Sequence, residues 1–317
     1  MRALVFDGKL RVVENFPDPP VGDETLIQVI RAGICATDLQ IVRGYLDFKG
    51  VPGHEFVGTV VAGPEKLKGR RVVGEINCPC RRCEMCRRNL PNHCRERTVL
   101  GIAARHGAFA EYLTLPPENL HLLPDHVRDD QAVFVEPLAA AFQVKTQYPF
   151  ERDERVAVLG AGRLGLLVAQ VLEPAVGHLV LFARGTAKKP VCEKLGFQVT
   201  VIDDKVEKGR FDVVVECSGC PEGLASAQAL VRPRGAIILK STYAGPAGAN
   251  LAATVINEIH IIGSRCGPFP EAIAALASRS VHVEPMISGR FPLRDALRAF
   301  ERASRPENVK ILIEMTP

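Results

Sequence analysis

Arg155-Val156-Ala157-Val158-Leu159-Gly160-Ala161-Gly162-Arg163-Leu164-Gly165 reads as an apolar strand that turns on glycine into a helix. Gly160, Gly162 and Gly165 stand in the order of a dinucleotide fingerprint. The first glycine makes a tight turn, the second lets backbone approach a pyrophosphate, and the third lets helix and strand pack closely. Free N–H groups and the dipole at the helix start, where Arg163 and Leu164 stand, then favour phosphate charge. Such a glycine pattern is weak evidence alone. The strand before it and the helical pattern Arg163–Leu172 after it supply the context that gives it weight.

Downstream the same texture repeats. His178–Ala183, Gln198–Ile202, Phe211–Glu216, Ala236–Lys240 and Ile259–Gly263 are strand candidates, with helical patterns such as Pro221–Val231 between most of them. Strands apolar on both faces are what a parallel sheet covered by helices requires, so a doubly wound α/β domain is expected. An acidic residue about twenty positions past the glycines would bind the adenosine ribose of NAD. Here no Asp or Glu occurs between Glu173 and Glu193, and the second strand ends in Phe182-Ala183-Arg184-Gly185-Thr186-Ala187-Lys188-Lys189. Small residues leave room for a 2′-phosphate, and Arg184 can grip it bidentately with Lys188 and Lys189 beside it. The plainer alternative, a solvated helix start, places positive charge where the helix dipole disfavours it. NADP is therefore expected over NAD.

Upstream, short alternating runs broken by Pro, Gly and Asp (Thr25–Arg31, Glu55–Val61, Phe109–Leu115) read as a β-rich domain. The tail Pro270–Pro317 carries an amphipathic helix around Arg294–Ala303 and a last apolar strand, Lys310–Glu314. The expected division is 1–137, with a cysteine lobe at 78–94, then 138–262, then a return of 263–317 to the first domain.

At 317 residues, 47% hydrophobic and 24% charged, the chain suits two globular domains. A formal charge of +4 makes no case for nucleic acid, although Arg81, Arg82, Arg87, Arg88, Arg95 and Arg97 crowd together. Nothing aromatic is interleaved among them to stack on bases. No apolar run approaches the ~20 residues of a membrane span, and the N-terminus lacks signal-peptide character, so a cytoplasmic protein is expected. Of ten cysteines, half fall between Cys78 and Cys94, which reads as metal binding rather than a disulfide framework.

Cys80, Cys83, Cys86 and Cys94, spaced by two, two and seven residues, can close a tetrahedral structural zinc site. Cys78 lies just outside the set and reads as a bystander able to exchange with Cys80. An iron–sulfur cluster or disulfides are the competing readings of this spacing. Separated potential ligands occur in Gly33-Ile34-Cys35-Ala36-Thr37-Asp38, in Gly53-His54-Glu55-Phe56-Val57-Gly58 and in Val135-Glu136-Pro137-Leu138-Ala139. Singly, each has a dull explanation: a buried Cys, a core His, a solvated Glu.

Together with Gly107-Ala108-Phe109-Ala110-Glu111-Tyr112 and Val215-Glu216-Cys217-Ser218-Gly219, these motifs resemble, nearly end to end, the zinc-containing medium-chain dehydrogenases. The likeness is to the polyol, threonine and glucose dehydrogenase-like branch with a glutamate ligand. It implies a GroES-like catalytic domain joined to a Rossmann cofactor domain, and two zinc ions per chain. Cys35, His54 and Glu136 would bind the catalytic zinc, Glu55 would be a neighbour or exchangeable fourth ligand, and Asp38 would orient His54 from behind. Zinc would activate the hydroxyl of an alcohol, polyol or sugar as alkoxide, Thr37 would take its proton, and hydride would pass to the nicotinamide, leaving the carbonyl product. Gln40 stands where many relatives carry a relay histidine, so the proton exit differs. Lys310 is expected to reach cofactor phosphate, and the resemblance implies a homodimer or homotetramer. The alternatives are a zinc-free quinone or enone reductase on the same fold and a non-catalytic dinucleotide sensor; the joint presence of Cys35, His54 and Glu136 disfavours both.

Overall fold

The computed structural model describes residues 1–20, 22–202, 206–242 and 250–315. Two compact units emerge: Met1–Glu136 with Ala272–Ser278 and Ile287–Pro317, and Pro137–Glu271 with Arg279–Met286.

In the second unit six strands form one sheet, in the order Val199–Val201, His178–Ala183, Arg155–Leu159, Phe211–Glu216, Val231–Leu239, His260–Gly263. Every neighbouring pair is parallel. The valine-rich central strands leave no polar face to solvent; Val156, Ala157, Val158, Val213, Val214 and Val215 are all fully buried. Helices Arg163–Leu172 and Glu222–Leu230 lie between consecutive strands in the chain, as a parallel sheet demands. From Arg155–Leu159 the chain lays the next two strands to one side and then returns to lay three more on the other. The reversal falls between Arg155–Leu159 and Phe211–Glu216, directly at Gly160, and ligands of such sheets bind at that point.

The first unit is built on a seven-stranded sheet. Its order is Ile287–Pro292, Lys310–Glu314, Thr25–Gly33, Glu55–Ala62, Arg71–Gly74, Leu120–Leu122, with Tyr112–Leu115 pairing to Thr25–Gly33 as well. Thr25–Gly33 alternates buried and half-buried residues, so Ile27 and Val29 enter a core shared with Val57, Leu113 and Leu115. Antiparallel register sets Gly33 opposite both Glu55 and Leu312. The residues just beyond Gly33, just before Glu55 and just before Leu312 therefore meet at one end of the sheet. The expected strand Phe109–Leu115 is shorter than its pattern suggested, starting at Tyr112, because Phe109 and Ala108 instead donate backbone N–H groups to Pro52 and Gly53.

Candidate metal and cofactor sites

Cys35 leaves the strand Thr25–Gly33 and forms the N-cap of the helix Ala36–Ile41. Asp38, in the first turn of that helix, reaches back so that its Oδ2 accepts the Cys35 N–H at 2.8 Å. Its other oxygen stands 3.3 Å from His54 Nδ1, on the neighbouring strand end. Asp38 is fully buried and His54 nearly so. The sulfur of Cys35, a nitrogen of His54 and an oxygen of Glu55 lie within 4.8 Å of one another. Thr37 Oγ1 is 3.8 Å from Cys35 Sγ. Glu136 opens the helix Val135–Gln147 and is not one of the three clustered residues.

The donor set fits a cation. Burial disfavours the imidazolium of His54, but the Asp38 carboxylate and then the Cys35 sulfur outweigh it and hold His54 well above its ordinary range. Asp38 Oδ1 and His54 Nδ1 are both buried without an aligned hydrogen-bond partner among the described residues. A thiolate, an imidazole and carboxylates are ligands that zinc accepts, and a carboxylate behind the histidine is its usual support.

Glu55 has a partner that the sequence did not announce. Its Oε2 accepts a hydrogen bond from Lys310 Nζ, and both side chains are 1% exposed. The Lys310 ammonium also sits over the Phe134 ring, 5.5 Å from its centre. Lys310 thus does not reach for cofactor phosphate. Its strand pairs with Thr25–Gly33, which carries it into the buried end of the sheet beside Glu55.

The four-cysteine lobe folds without a core of its own. Cys80 lies outside any helix or strand, Cys83 caps the short helix Glu84–Arg87, Cys86 is within it, and Cys94 ends the single 3₁₀ turn Pro91–His93. Sulfur–sulfur separations are 3.6 Å for Cys83–Cys86, 3.7 Å for Cys83–Cys94 and 3.5 Å for Cys94–Cys80. Four sulfurs at ~2.3 Å from a tetrahedral zinc would stand about 3.8 Å apart, so this cage matches. Backbone N–H groups of Cys86 and Arg95 pull the Cys83 thiol down to about 6. Burial, with Cys83 and Cys94 alongside, pushes Cys86 up to about 12. A cation at the centre of the four sulfurs would offset what holds the Cys86 thiol protonated. Cys78 stays out of the cage, 3.8 Å from Asn119 Nδ2, and burial drives its thiol up to about 11.

In the second unit the three fingerprint glycines divide the work. Gly160 has φ +116°, and a Cβ there would lie 2.7 Å from the Cys217 carbonyl oxygen. A Cβ on Gly165 would overlap the Gly160 carbonyl oxygen. Gly162 is open instead: the nearest group to a Cβ placed there is Lys188 Nζ, at 3.8 Å. Arg163 begins the helix and Leu164 follows it. Burial and then Arg163 lower the Lys188 pKa, and Arg184 adds to the effect, so three cations converge near the helix start. Lys189 turns away to pair with Glu193 at 3.7 Å.

The sequence model of the alcohol dehydrogenase GroES-like domain matches residues 22–125, and that of the glucose dehydrogenase C-terminus matches 130–315. The chain belongs to the zinc-containing medium-chain dehydrogenase family. This dehydrogenase is 28% identical to D-arabitol-phosphate dehydrogenase of Enterococcus avium, over 93% of its own length and 91% of the relative's. It superposes with a TM-score of 0.90 on alcohol dehydrogenase TADH of Thermus sp. ATN1, at 29% identity and covering 100% of both chains. A zinc-binding dehydrogenase of Sinorhizobium meliloti bound to NADP gives a TM-score of 0.88 at 26% identity, over 99% of each chain. The dehydrogenase is thus an NAD(P)-linked oxidoreductase acting on CH–OH donors. No helix among its described residues is long and apolar enough to cross a membrane.

Proposed function

We propose that the dehydrogenase oxidises a polyol, sugar or related alcohol with NADP in preference to NAD, and carries a catalytic and a structural zinc. The observation that carries this reading is the convergence of Cys35, His54 and Glu55, with the buried Asp38 carboxylate 3.3 Å behind the histidine. A zinc ion held there supplies Lewis acidity that brings the substrate hydroxyl's pKa toward neutrality. Cys35, His54 and Glu136 are the proposed ligands. Glu136 is preferred to Glu55 as the third because Lys310 already neutralises Glu55. The Thr37 hydroxyl, 3.8 Å from Cys35 Sγ, is the proposed acceptor of the alcohol proton. Gln40 cannot titrate, so the proposed proton exit is by water or the cofactor ribose. Cys80, Cys83, Cys86 and Cys94 are proposed as the closed structural site.

Gly160, Gly162 and Gly165 with Arg163 and Leu164 receive the pyrophosphate, and Arg184 and Lys188 grip the 2′-phosphate. Cations without an acid on the second strand favour NADP, as does the NADP bound to the Sinorhizobium meliloti relative. The polyol class rests on the arabitol-phosphate relative. A cytoplasmic setting is supported by all ten cysteines being free. A second copy is the proposed partner, docking on the sheet edge His260–Gly263 and the helix Leu251–Ile256.

Elemental analysis together with a screen of alcohols, polyols and aldoses against NADP and NAD tests the reading. Two zinc ions per chain and NADP-dependent oxidation are expected. Metal-free protein that still turns over, or a clear preference for NAD, overturns the corresponding part.

A further inference from the structure

Lys240 comes directly after the strand Val231–Leu239 and is only 8% exposed. Its Nζ donates to the carbonyl oxygens of Ala140 and Arg265, each at 2.7 Å, and to Ser264 Oγ at 3.2 Å. An ammonium has three donors, and each is used here. The Lys240 N–H donates to the Glu216 carbonyl at 2.9 Å, and the Ser264 N–H to that of Leu239 at 3.0 Å. Through one side chain the segment leaving His260–Gly263 is tied to the neighbouring strand end and to the helix that carries Ala140.

Gly267 is a second fastening of the same segment. A Cβ there would overlap the Ala139 carbonyl oxygen and lie 2.9 Å from Gln143 Cβ. Ser264–Gly267 is therefore tied to one helix through Lys240 Nζ at its start and held close against it at Gly267. Burying an ammonium is costly unless it is well hydrogen-bonded. Its short charge-assisted bonds fix the two carbonyls more firmly than a neutral donor would.

The location gives this a purpose. Lys240, Ser264 and Arg265 all stand at the carboxyl ends of parallel strands, on the far side of the reversal from the strand His178–Ala183. A dinucleotide lies across that reversal, one nucleotide over each half of the sheet. Arg184 and Lys188 stand at the half that takes the adenosine. The nicotinamide half then falls over the ends of Phe211–Glu216, Val231–Leu239 and His260–Gly263.

We propose that Lys240 is a positioning residue for the nicotinamide ring, holding Ser264–Gly267 in the shape that the ring docks against. This rests on the dinucleotide reading above. The test compares wild type, Lys240→Met and Ser264→Ala in the full chain, by calorimetric titration with NADP⁺ and with the adenosine-half fragments 2′,5′-ADP and 5′-AMP. Lys240→Met should weaken NADP⁺ about tenfold and lower kcat, with fragment affinity unchanged; Ser264→Ala should weaken NADP⁺ about twofold. Equal NADP⁺ affinity in wild type and Lys240→Met overturns the proposal, and so does an equal loss for NADP⁺ and the fragments. If Lys240→Met does not fold, Ser264→Ala decides alone by the same criterion. Wild type that binds neither NADP⁺ nor any fragment would instead sink the dinucleotide reading itself.

Discussion

Lys310 and Glu55 are 255 residues apart, and each is the other's buried counter-charge. Neither side chain could be assigned this partner from local pattern, because the pairing exists only once two strands flank Thr25–Gly33. Cys35 and His54 were singled out for the opposite reason: each lies in a short motif that, joined to the others, carries the family resemblance, and the fold brings the two side chains together. Asp38 was legible too, since it shares a motif with Cys35. Removing one member of a buried ion pair leaves an uncompensated charge, typically costing about 3–5 kcal/mol. Lys310→Met should therefore lower stability by roughly that amount in urea denaturation, and Lys310→Met with Glu55→Leu should recover most of it. A double variant as unstable as the single one would show that the pair is not coupled. Asp38→Asn addresses the metal reading directly. Losing the carboxylate behind His54 should weaken zinc retention about 10–100-fold against a competing chelator. Unchanged retention would separate Asp38 from the site.

At the scale of elements, the parallel strands and the helix Arg163–Leu172 follow from apolar runs and the glycine turn, and the sequence expectation for them holds. Short irregular pieces such as the lobe around Glu84–Arg87 have no periodicity to read, only cysteine spacing. Four sulfurs at 3.5–3.7 Å replace a hydrophobic core there, so Cys83→Ser should lower the melting temperature while leaving the Cys35 end of the sheet intact. An unchanged melting curve with one zinc fewer would contradict a structural role. A second elemental device is the cluster that ties the helix Asp129–Ala132 to two strands, in which Asp130 accepts from Arg31 and Arg290. Burial works to raise the Asp130 pKa, but hydrogen bonding from Arg290 and the charge of Arg31 outweigh it and leave it below the usual carboxylate range. A carboxyl with a lower pKa in the folded than in the unfolded chain stabilises the fold above its unfolded value, near ~3.9, and loses that contribution as pH falls through the folded one. Asp130→Asn should lower stability at neutral pH and flatten its decline below about pH 4. Parallel stability–pH curves for the two proteins would exclude Asp130 as a source of acid sensitivity.

For the whole molecule, composition and texture distinguish a β-rich first unit from a parallel-sheet second unit, but they do not reveal which surfaces meet a partner. The proposed seam rests on apolar exposure instead. Among the described residues His260–Gly263 is an edge strand with no strand paired on its outer side, and Ile261 is 37% exposed on it. In the helix before it Leu251, Val255 and Ile256 are 69%, 75% and 78% exposed. Edge strands are normally blunted by charge, proline or cover, because an open edge templates pairing with another chain. This edge carries isoleucines, so a second copy adding its own edge strand by a two-fold axis would satisfy the open backbone and cover the helix at once. Ile261→Lys places a charge in the middle of that proposed seam and Val255→Glu places one on the helix beside it. Sedimentation of the wild type at micromolar concentration should give a dimer or a multiple of it, and the double variant should give a folded monomer. A monomeric wild type would rule out the seam, and a double variant that remains dimeric would place the contact on a different surface.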